Sequence, residues 1–280
     1  MLTRRCGVLG DPIGHSLSPA LHRAGYDAVG LDWEYDAHRV AVGGLAGFLL
    51  GLDASWRGLS LTMPLKREAL TLAARVSDRA ALAGVANTLL LDGDDGSGGV
   101  AADNTDLPGA RAALRERYDG DPSAAVIWGG GATASSVLLA LAEEGCRRFV
   151  LQVRDPARAA ETVAAALRFP LPLHVDVAPL GAPVEADVLV STIPASAQVP
   201  ELVATTAAVP VLFDVVYDPW PTPLAASVVS ASGRVLVGGL DLLAHQAALQ
   251  FTMFTGLPAP LEVMRRAGAV ELGARAGAAG

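Results

Sequence analysis

AVIWGGGATASSVLLALAEEG, residues 125–145, decides the fold. Four apolar residues that suit a buried strand run into Gly129, Gly130 and Gly131, then into an Ala- and Leu-rich segment with helical spacing. Strand, glycine turn and helix in that order match G-x-G-x-x-G/A, with Ala134 in the last place. The chemistry needs small residues here. One glycine makes the tight turn and another lets the backbone approach a pyrophosphate. The helix start then offers unpaired N–H groups to the phosphates. Residues 129–134, Gly129, Gly130, Gly131, Ala132, Thr133 and Ala134, are therefore expected to bind a dinucleotide. The uncharged run 122–142 is long enough to mimic a membrane span, but three central glycines and several Ser and Thr fit strand–turn–helix better.

Working outward, the next strand ends at LQVRDPARA, where the adenosine ribose is read. Arg154 and Arg158 suit a 2′-phosphate and favour NADP. Asp155 suits a free 2′-OH, which leaves NAD open, or else it caps a helix beginning at Pro156. Further strand candidates, LHVDV, DVLVST, VPVLFDV and RVLVGG, alternate with Ala-rich helical segments in a doubly wound pattern. Before this domain the chain alternates strands (RCGVLG, WEYDAHRV, RGLSLTM, VANTLLL) with helices, among them PALHRAGYDAVG and LKREALTLAARV. That pattern implies a second α/β domain with a mostly parallel sheet. DGDDGSGGV reads as a hairpin connection, and the last residues read as two helices with a frayed end. Residues 1–106 with 240–280 are expected to form one domain, and 107–239 the other.

The 280 residues carry a formal net charge of −8, which argues against nucleic acid or an anionic membrane as partner. The 2 cysteines, Cys6 and Cys146, lie in no metal-binding pattern, and a reducing, cytoplasmic setting without a structural metal is expected. No secretory signal pattern is evident at the N-terminus. Oligomeric state is left at monomer or homodimer, with an exposed edge strand as the surface to watch.

In the first domain, polar residues stand at successive strand ends: Ser16, Ser18, Ser60, Thr62, Lys66, Asn87 and Asp103. In open α/β sheets ligands bind beyond those ends. Each also has a plain reading. Ser18 before Pro19 suits a helix N-cap, Lys66 a solvated lysine, and Asn104–Thr105–Asp106 turn chemistry.

The motifs GDPIGHSLSP, LSLTMPLK, GVANTLL, ADNTDLPG, GGGATASS, FDVVYDPWPTPL and GGLDLLAHQAALQF occur in an order that resembles the shikimate dehydrogenases, over nearly the whole chain. STIPA, YDPWPTPLAA and FTGLPAP resemble the actinobacterial members most. The resemblance implies an enzyme interconverting shikimate and 3-dehydroshikimate with NADP, in the pathway to chorismate and the aromatic amino acids. It implies a substrate domain built from both ends of the chain around an inserted dinucleotide domain. Ser16 and Ser18 would hold the substrate carboxylate, with Tyr217 at that end. Asn87, Thr62 and Gln246 would hold substrate hydroxyls, and Lys66 and Asp103 would be the catalytic pair. Thr192, Val215 and Gly239 would line the cofactor, the last two at the nicotinamide.

Ser60 stands where many members have Asn, VRD replaces the common NRT, and Asp241 lies where Gly is frequent. The sequence alone supplies no reason for Asp241. Oxidising a secondary alcohol needs a base for its O–H, and reducing the ketone needs an acid. A lysine does both if its pKa falls toward neutrality, whereas a nearby carboxylate stabilises its ammonium form. Lys66 is therefore expected to transfer the proton and Asp103 to orient it, and either can hold the proton at rest. Two competing readings remain: a quinate or aminoshikimate dehydrogenase using NAD or NADP, and a non-catalytic NADP-binding sensor.

Overall fold

The structure is a computed structural model that describes residues 4–91, 99–229 and 233–278. The chain divides into two compact units: Met1–Thr105 with Leu243–Gly280, and Asp106–Leu242. The elements of the first are β1 (Arg4–Gly10), α1 (Ser18–Ala28), β2 (Trp33–Arg39), α2 (Leu45–Leu50), β3 (Trp56–Leu61) and α3 (Glu68–Leu72). There follow β4 (Arg75–Val76), α4 (Asp78–Ala83), β5 (Thr88–Leu90) and β6 (Ala101–Asp103). The second unit holds α5 (Asp106–Arg117), β7 (Ala124–Trp128), α6 (Ala132–Glu143), β8 (Arg148–Val153), α7 (Ala160–Leu167), β9 (His174–Pro179) and β10 (Val188–Ser191). It continues with α8 (Pro200–Ala204), β11 (Val211–Asp214), α9 (Pro223–Val229) and β12 (Val235–Val237). Helices α10 (Gly239–Thr255) and α11 (Leu261–Ala278) end the chain.

The second unit's sheet runs β12-β11-β10-β7-β8-β9, with every pairing parallel. The order reverses at β7, the strand that feeds the glycine turn, and that switch point is where such sheets bind ligands. Strands β10 (VLVS) and β11 (VLFD) are buried at every position, as strands covered on both faces must be. Their core gathers Val126, Trp128, Leu189, Leu212 and Leu224.

The first unit's sheet runs β2-β1-β3-β5-β6-β4, and β5 alone opposes its neighbours. Both units are α/β, and the first sheet is mostly parallel. Register sets a row across four strands, Val8–Ser60–Thr88–Asp103. Paired residues point to one face of a sheet, so three polar side chains line up at one end of it. Leu9, Leu59, Leu61 and Leu89 supply the apolar core beneath.

Local differences from the sequence expectations have physical causes. The helix read through LKREALTLAARV stops at Leu72, and Arg75–Val76 pairs with β6 instead. Helix α4 has no counterpart in the sequence reading, yet Ser77 caps it and Gly84 closes it in the left-handed conformation. Ser18 is not an N-cap. Leu17 already has helical angles, the Leu21 N–H bonds its carbonyl, and Ser18 becomes the first helical residue. The hairpin turn of DGDDGSGGV lies mostly outside the described residues, although β5 and β6 pair antiparallel as such a turn requires. Helix α11 continues to Ala278 rather than fraying from Gly273. Asp106 and residues 240–242 belong to the second unit. The first turn of α10 is tied back there by Asp241, whose carboxylate accepts the Gly238 N–H (3.0 Å) and an Arg117 N–H (2.8 Å). An acid reaching back three residues to the helix-capping N–H is one half of a capping box, and it accounts for Asp241. Among the described residues no helix is long and apolar enough to cross a membrane.

Candidate active site

The polar row in the first unit is completed from α10. Gln250, 1% exposed, accepts the Ser60 hydroxyl at 2.6 Å and donates to the Asn87 carbonyl (3.0 Å) and the Thr88 hydroxyl (2.9 Å). Ser60 in turn accepts the Tyr35 hydroxyl at 2.6 Å. Its single proton goes to Gln250, so Ser60 has only acceptor capacity left for a ligand. Burial raises the Tyr35 pKa well above the usual phenol range, against smaller opposing pulls from Ser60 and Ser18. Tyr35 therefore stays a neutral donor.

Asn87 is saturated by the protein. Its Oδ1 accepts the Thr105 N–H (2.8 Å) and the Thr88 hydroxyl (2.9 Å). Its Nδ2 donates to Thr105 Oγ1 (2.9 Å) and to Gln246 Oε1 (3.2 Å). The bond to Gln246 is the longest of the four and the first that a ligand hydroxyl would replace.

Lys66 lies in the turn between β3 and α3, partly exposed. Its carbonyl accepts the Ala86 N–H at 2.7 Å, and the Asp103 carbonyl accepts the next N–H, that of Asn87, at 3.1 Å. The two residues of the expected catalytic pair thus flank one dipeptide. Thr62 opens the Lys66 turn, its N–H bonded to the Leu9 carbonyl at the end of β1. Asp103 is 8% exposed. Burial would raise its pKa, but hydrogen bonds from Arg79, Ser77 and Asn104 and the Arg79 charge outweigh it and hold the carboxyl below its ordinary value. Ser16 accepts the Ser18 N–H at 3.3 Å, and Arg275 of α11 fixes this loop by donating to the His15 and Ser16 carbonyls.

In the second unit, Gly129 has φ +105°, a left-handed conformation that favours glycine. A Cβ on Gly130 would lie 2.5 Å from the Arg158 carbonyl oxygen, so that turn closes only with glycine. A Cβ on Gly131 would meet no protein atom; this glycine keeps open space clear beside the helix start. Gly131 also brings no side-chain acceptor to the N-terminus of α6. A clear, uncapped helix start after a parallel strand fits a dinucleotide pyrophosphate. Asp155 accepts the Ala157 N–H at 3.0 Å and caps the turn at Pro156, while Arg154 and Arg158 are exposed beside it. Thr192 donates to the Trp128 carbonyl (2.8 Å) and packs on Gly129. Gly239 lies against the carbonyls of Val215 and Val216. The loop that carries Val215 and Tyr217 is held by buried Asp214, which accepts from Thr222 (2.5 Å), Gln198 (3.0 Å) and the Val216 N–H (3.2 Å).

Gln250, Tyr35, Arg79, Ser77 and Asp214 were not singled out from the sequence. Asp214 closes a buried apolar strand, and the polar Gln250 lies one position before a fully buried phenylalanine. Those were the available signals.

A parallel sheet with an uncapped glycine turn, joined to a unit that carries a lysine and a carboxylate at its strand ends, defines a two-domain nicotinamide-dinucleotide dehydrogenase. Residues 8–89 match the family model of the shikimate dehydrogenase substrate binding domain, and residues 239–267 that of the shikimate 5'-dehydrogenase C-terminal domain. The NADP(+) shikimate dehydrogenase of Methanosarcina acetivorans is 35% identical, covering 95% of this chain and 97% of that protein. That of Dinoroseobacter shibae is 37% identical, covering 94% and 96%. Among solved structures, Mycobacterium tuberculosis shikimate dehydrogenase superposes with a TM-score of 0.84 at 42% identity, covering 96% and 99%. The Thermus thermophilus enzyme in complex with NADP(H) and shikimate gives 0.81 at 31%, also covering 96% and 99%. The chain belongs to the shikimate dehydrogenase family.

Proposed function

We propose that the first unit holds the substrate and performs the proton transfer, and that the second unit holds the nucleotide. The enzyme is an oxidoreductase that interconverts shikimate and 3-dehydroshikimate by hydride transfer with NADP(H), a step of aromatic amino-acid biosynthesis. The nicotinamide carries the hydride when bound, and the protein supplies orientation and a proton path.

Lys66 takes the hydroxyl proton as the alcohol is oxidised and returns one as the ketone is reduced. Asp103 remains a carboxylate throughout, in keeping with the hydrogen bonds that hold its pKa down. The observation that carries this assignment is the binding of the Lys66 and Asp103 carbonyls to the successive N–H groups of Ala86 and Asn87. Ser16 and Ser18 donate hydroxyl hydrogen bonds to the substrate carboxylate, an end of the ligand to which Tyr217 is assigned by its motif. Asn87 and Gln246 exchange their mutual bond for a substrate hydroxyl, joined by Thr62, while Ser60 can only accept. In the second unit the pyrophosphate lies on residues 129–134, and Arg154 and Arg158 meet the 2′-phosphate. Asp155 accepts the Ala157 N–H as a cap and keeps its charge, which Arg154 and Arg158 on either side outweigh. Val215 and Gly239 border the nicotinamide, and Thr192 lines the cofactor. The enzyme acts in the cytoplasm, as a monomer or as a homodimer joined through a sheet edge, which size-exclusion chromatography distinguishes.

Mixing the enzyme with shikimate or quinate and with NADP or NAD, and following absorbance of the reduced nicotinamide, tests the reading. Fastest turnover is expected with shikimate and NADP. Faster turnover with NAD would overturn the role given to Arg154, and no turnover with any pair would overturn the activity.

A further inference from the structure

Asp103 is gripped by two residues that precede it by about one helix and one strand. Arg79, in the first turn of α4, donates Nε to Oδ1 and Nη2 to Oδ2, both at 2.6 Å. Such a two-pronged pair fixes the plane of a carboxylate as well as its position. Ser77 donates its hydroxyl to Oδ1 at 2.6 Å while accepting the Ala80 N–H that it caps. The Asn104 N–H adds a further bond to Oδ1 at 2.6 Å. The platform is tied to the same strand, because the Ser77 N–H bonds the Ala102 carbonyl at 3.0 Å and β4 pairs with β6.

Helix stability does not explain Arg79. A cation in a first turn faces the positive end of the helix dipole, the unfavourable end. What its place does achieve is the fork on Asp103. The Asp103 side chain is 11% exposed and the Arg79 side chain 37%, so the carboxylate is enclosed while its clamp reaches solvent.

We propose that Arg79 is a positioning residue for the reaction: its guanidinium sets the orientation of the Asp103 carboxylate, and through Asp103 the placement of the Lys66 amine. This rests on the assignment of Lys66 and Asp103 as the catalytic pair. Ser77 is the second arm of the same clamp. Lysine cannot replace arginine here, because an ammonium is a point charge without the planar fork.

The experiment compares R79A, R79K and D103N in the full-length enzyme, with kcat and KM for shikimate at saturating NADP and a thermal unfolding curve for each. Misplacing a catalytic group by about 1 Å costs on the order of 10²-fold, so R79A is expected to lose about that in kcat while KM changes less than about threefold. R79K is expected to stay at least about tenfold below wild type although its charge is kept. Guanidinium ion supplied at tens of millimolar is expected to restore R79A about tenfold or more and to leave D103N unchanged, since D103N has lost the group that guanidinium would bind. If R79A is unfolded at the assay temperature, R79K carries the test. A folded R79A or R79K with wild-type kcat overturns the proposal, as does a rise in KM alone or equal rescue of D103N. A D103N enzyme with near-wild-type kcat overturns the catalytic pair itself, whereas a crippled D103N beside an intact R79A overturns only the role of Arg79.

Discussion

Replacing Gln250 by leucine tests the buried network beneath the site. Gln250 makes three hydrogen bonds in a place almost without solvent, to Ser60, to the Asn87 carbonyl and to Thr88. Leucine has similar bulk and none of that capacity. The Ser60 proton loses its acceptor, at about 1–3 kcal/mol for a buried unsatisfied group, while the Asn87 carbonyl, which keeps the Leu61 N–H, and the Thr88 hydroxyl each lose a bond worth about 1 kcal/mol. Partial relaxation and the apolar gain of leucine reduce the sum, and a net loss of about 3 kcal/mol is expected. At about 2–4 °C per kcal/mol for chains approaching this size, the melting temperature should fall by about 6–12 °C. Urea and thermal unfolding give the number directly. Thr252→Ala, at an exposed position of the same helix, is the control and should stay within about 0.5 kcal/mol of wild type. A Gln250→Leu enzyme that melts within about 2 °C of wild type would show that these bonds do not stabilise the unit, and the reasoning would fail.

Three further outcomes follow from the same geometry. The Ser16 hydroxyl accepts a long 3.3 Å bond from the Ser18 N–H, so Ser16→Ala should cost about 0.5 kcal/mol or less in stability but raise KM for shikimate about 10- to 100-fold; the reverse pattern would make Ser16 a purely structural residue. Gly130→Ala places a methyl 2.5 Å from the Arg158 carbonyl and should raise KM for NADP at least about tenfold while shikimate binding by calorimetry is unchanged; unchanged NADP kinetics would contradict the tight turn. His22 is stacked on Tyr35, neither ring nitrogen makes a hydrogen bond of good geometry, and burial pushes its pKa down to about 3 against a slight pull from Gln250. Between that value and an unfolded value near 6.5 only the unfolded chain binds the proton, so stability is full above about pH 6.5 and is lost as pH falls. The expected loss is about 2 kcal/mol from pH 7 to pH 5 by urea unfolding, a slope that His22→Leu should flatten; parallel curves would refute it.

The nucleotide unit was legible because its strands are short apolar runs separated by turn residues, and because a dinucleotide turn needs small residues at fixed positions, as Gly129 and Gly130 show. The polar residues at strand ends were legible too, because Ser60, Asn87 and Asp103 interrupt apolar patterns. What they touch was not. Ser60 meets Gln250 from 190 residues away, and nothing in local periodicity reports a contact that only the tertiary fold creates. Arg79 carries no signal in the sequence, because only the register of β4 on β6 puts its helix beside Asp103. Asp241 had a local signal that went unused: an acid three residues after a glycine at the start of a helix can reach back to the capping N–H. Ser18 was misread because Pro19 suits the first turn whether the cap is one residue earlier or not.

The central claim is that Lys66 transfers the proton in the oxidation of shikimate by NADP. Lys66→Met removes the amine and keeps most of the side chain. Steady-state turnover, read as absorbance of NADPH, should fall by about 10²- to 10⁴-fold in kcat, while shikimate binding by calorimetry stays within a few-fold of wild type. A folded Lys66→Met enzyme that binds shikimate normally and turns over near the wild-type rate would contradict the account.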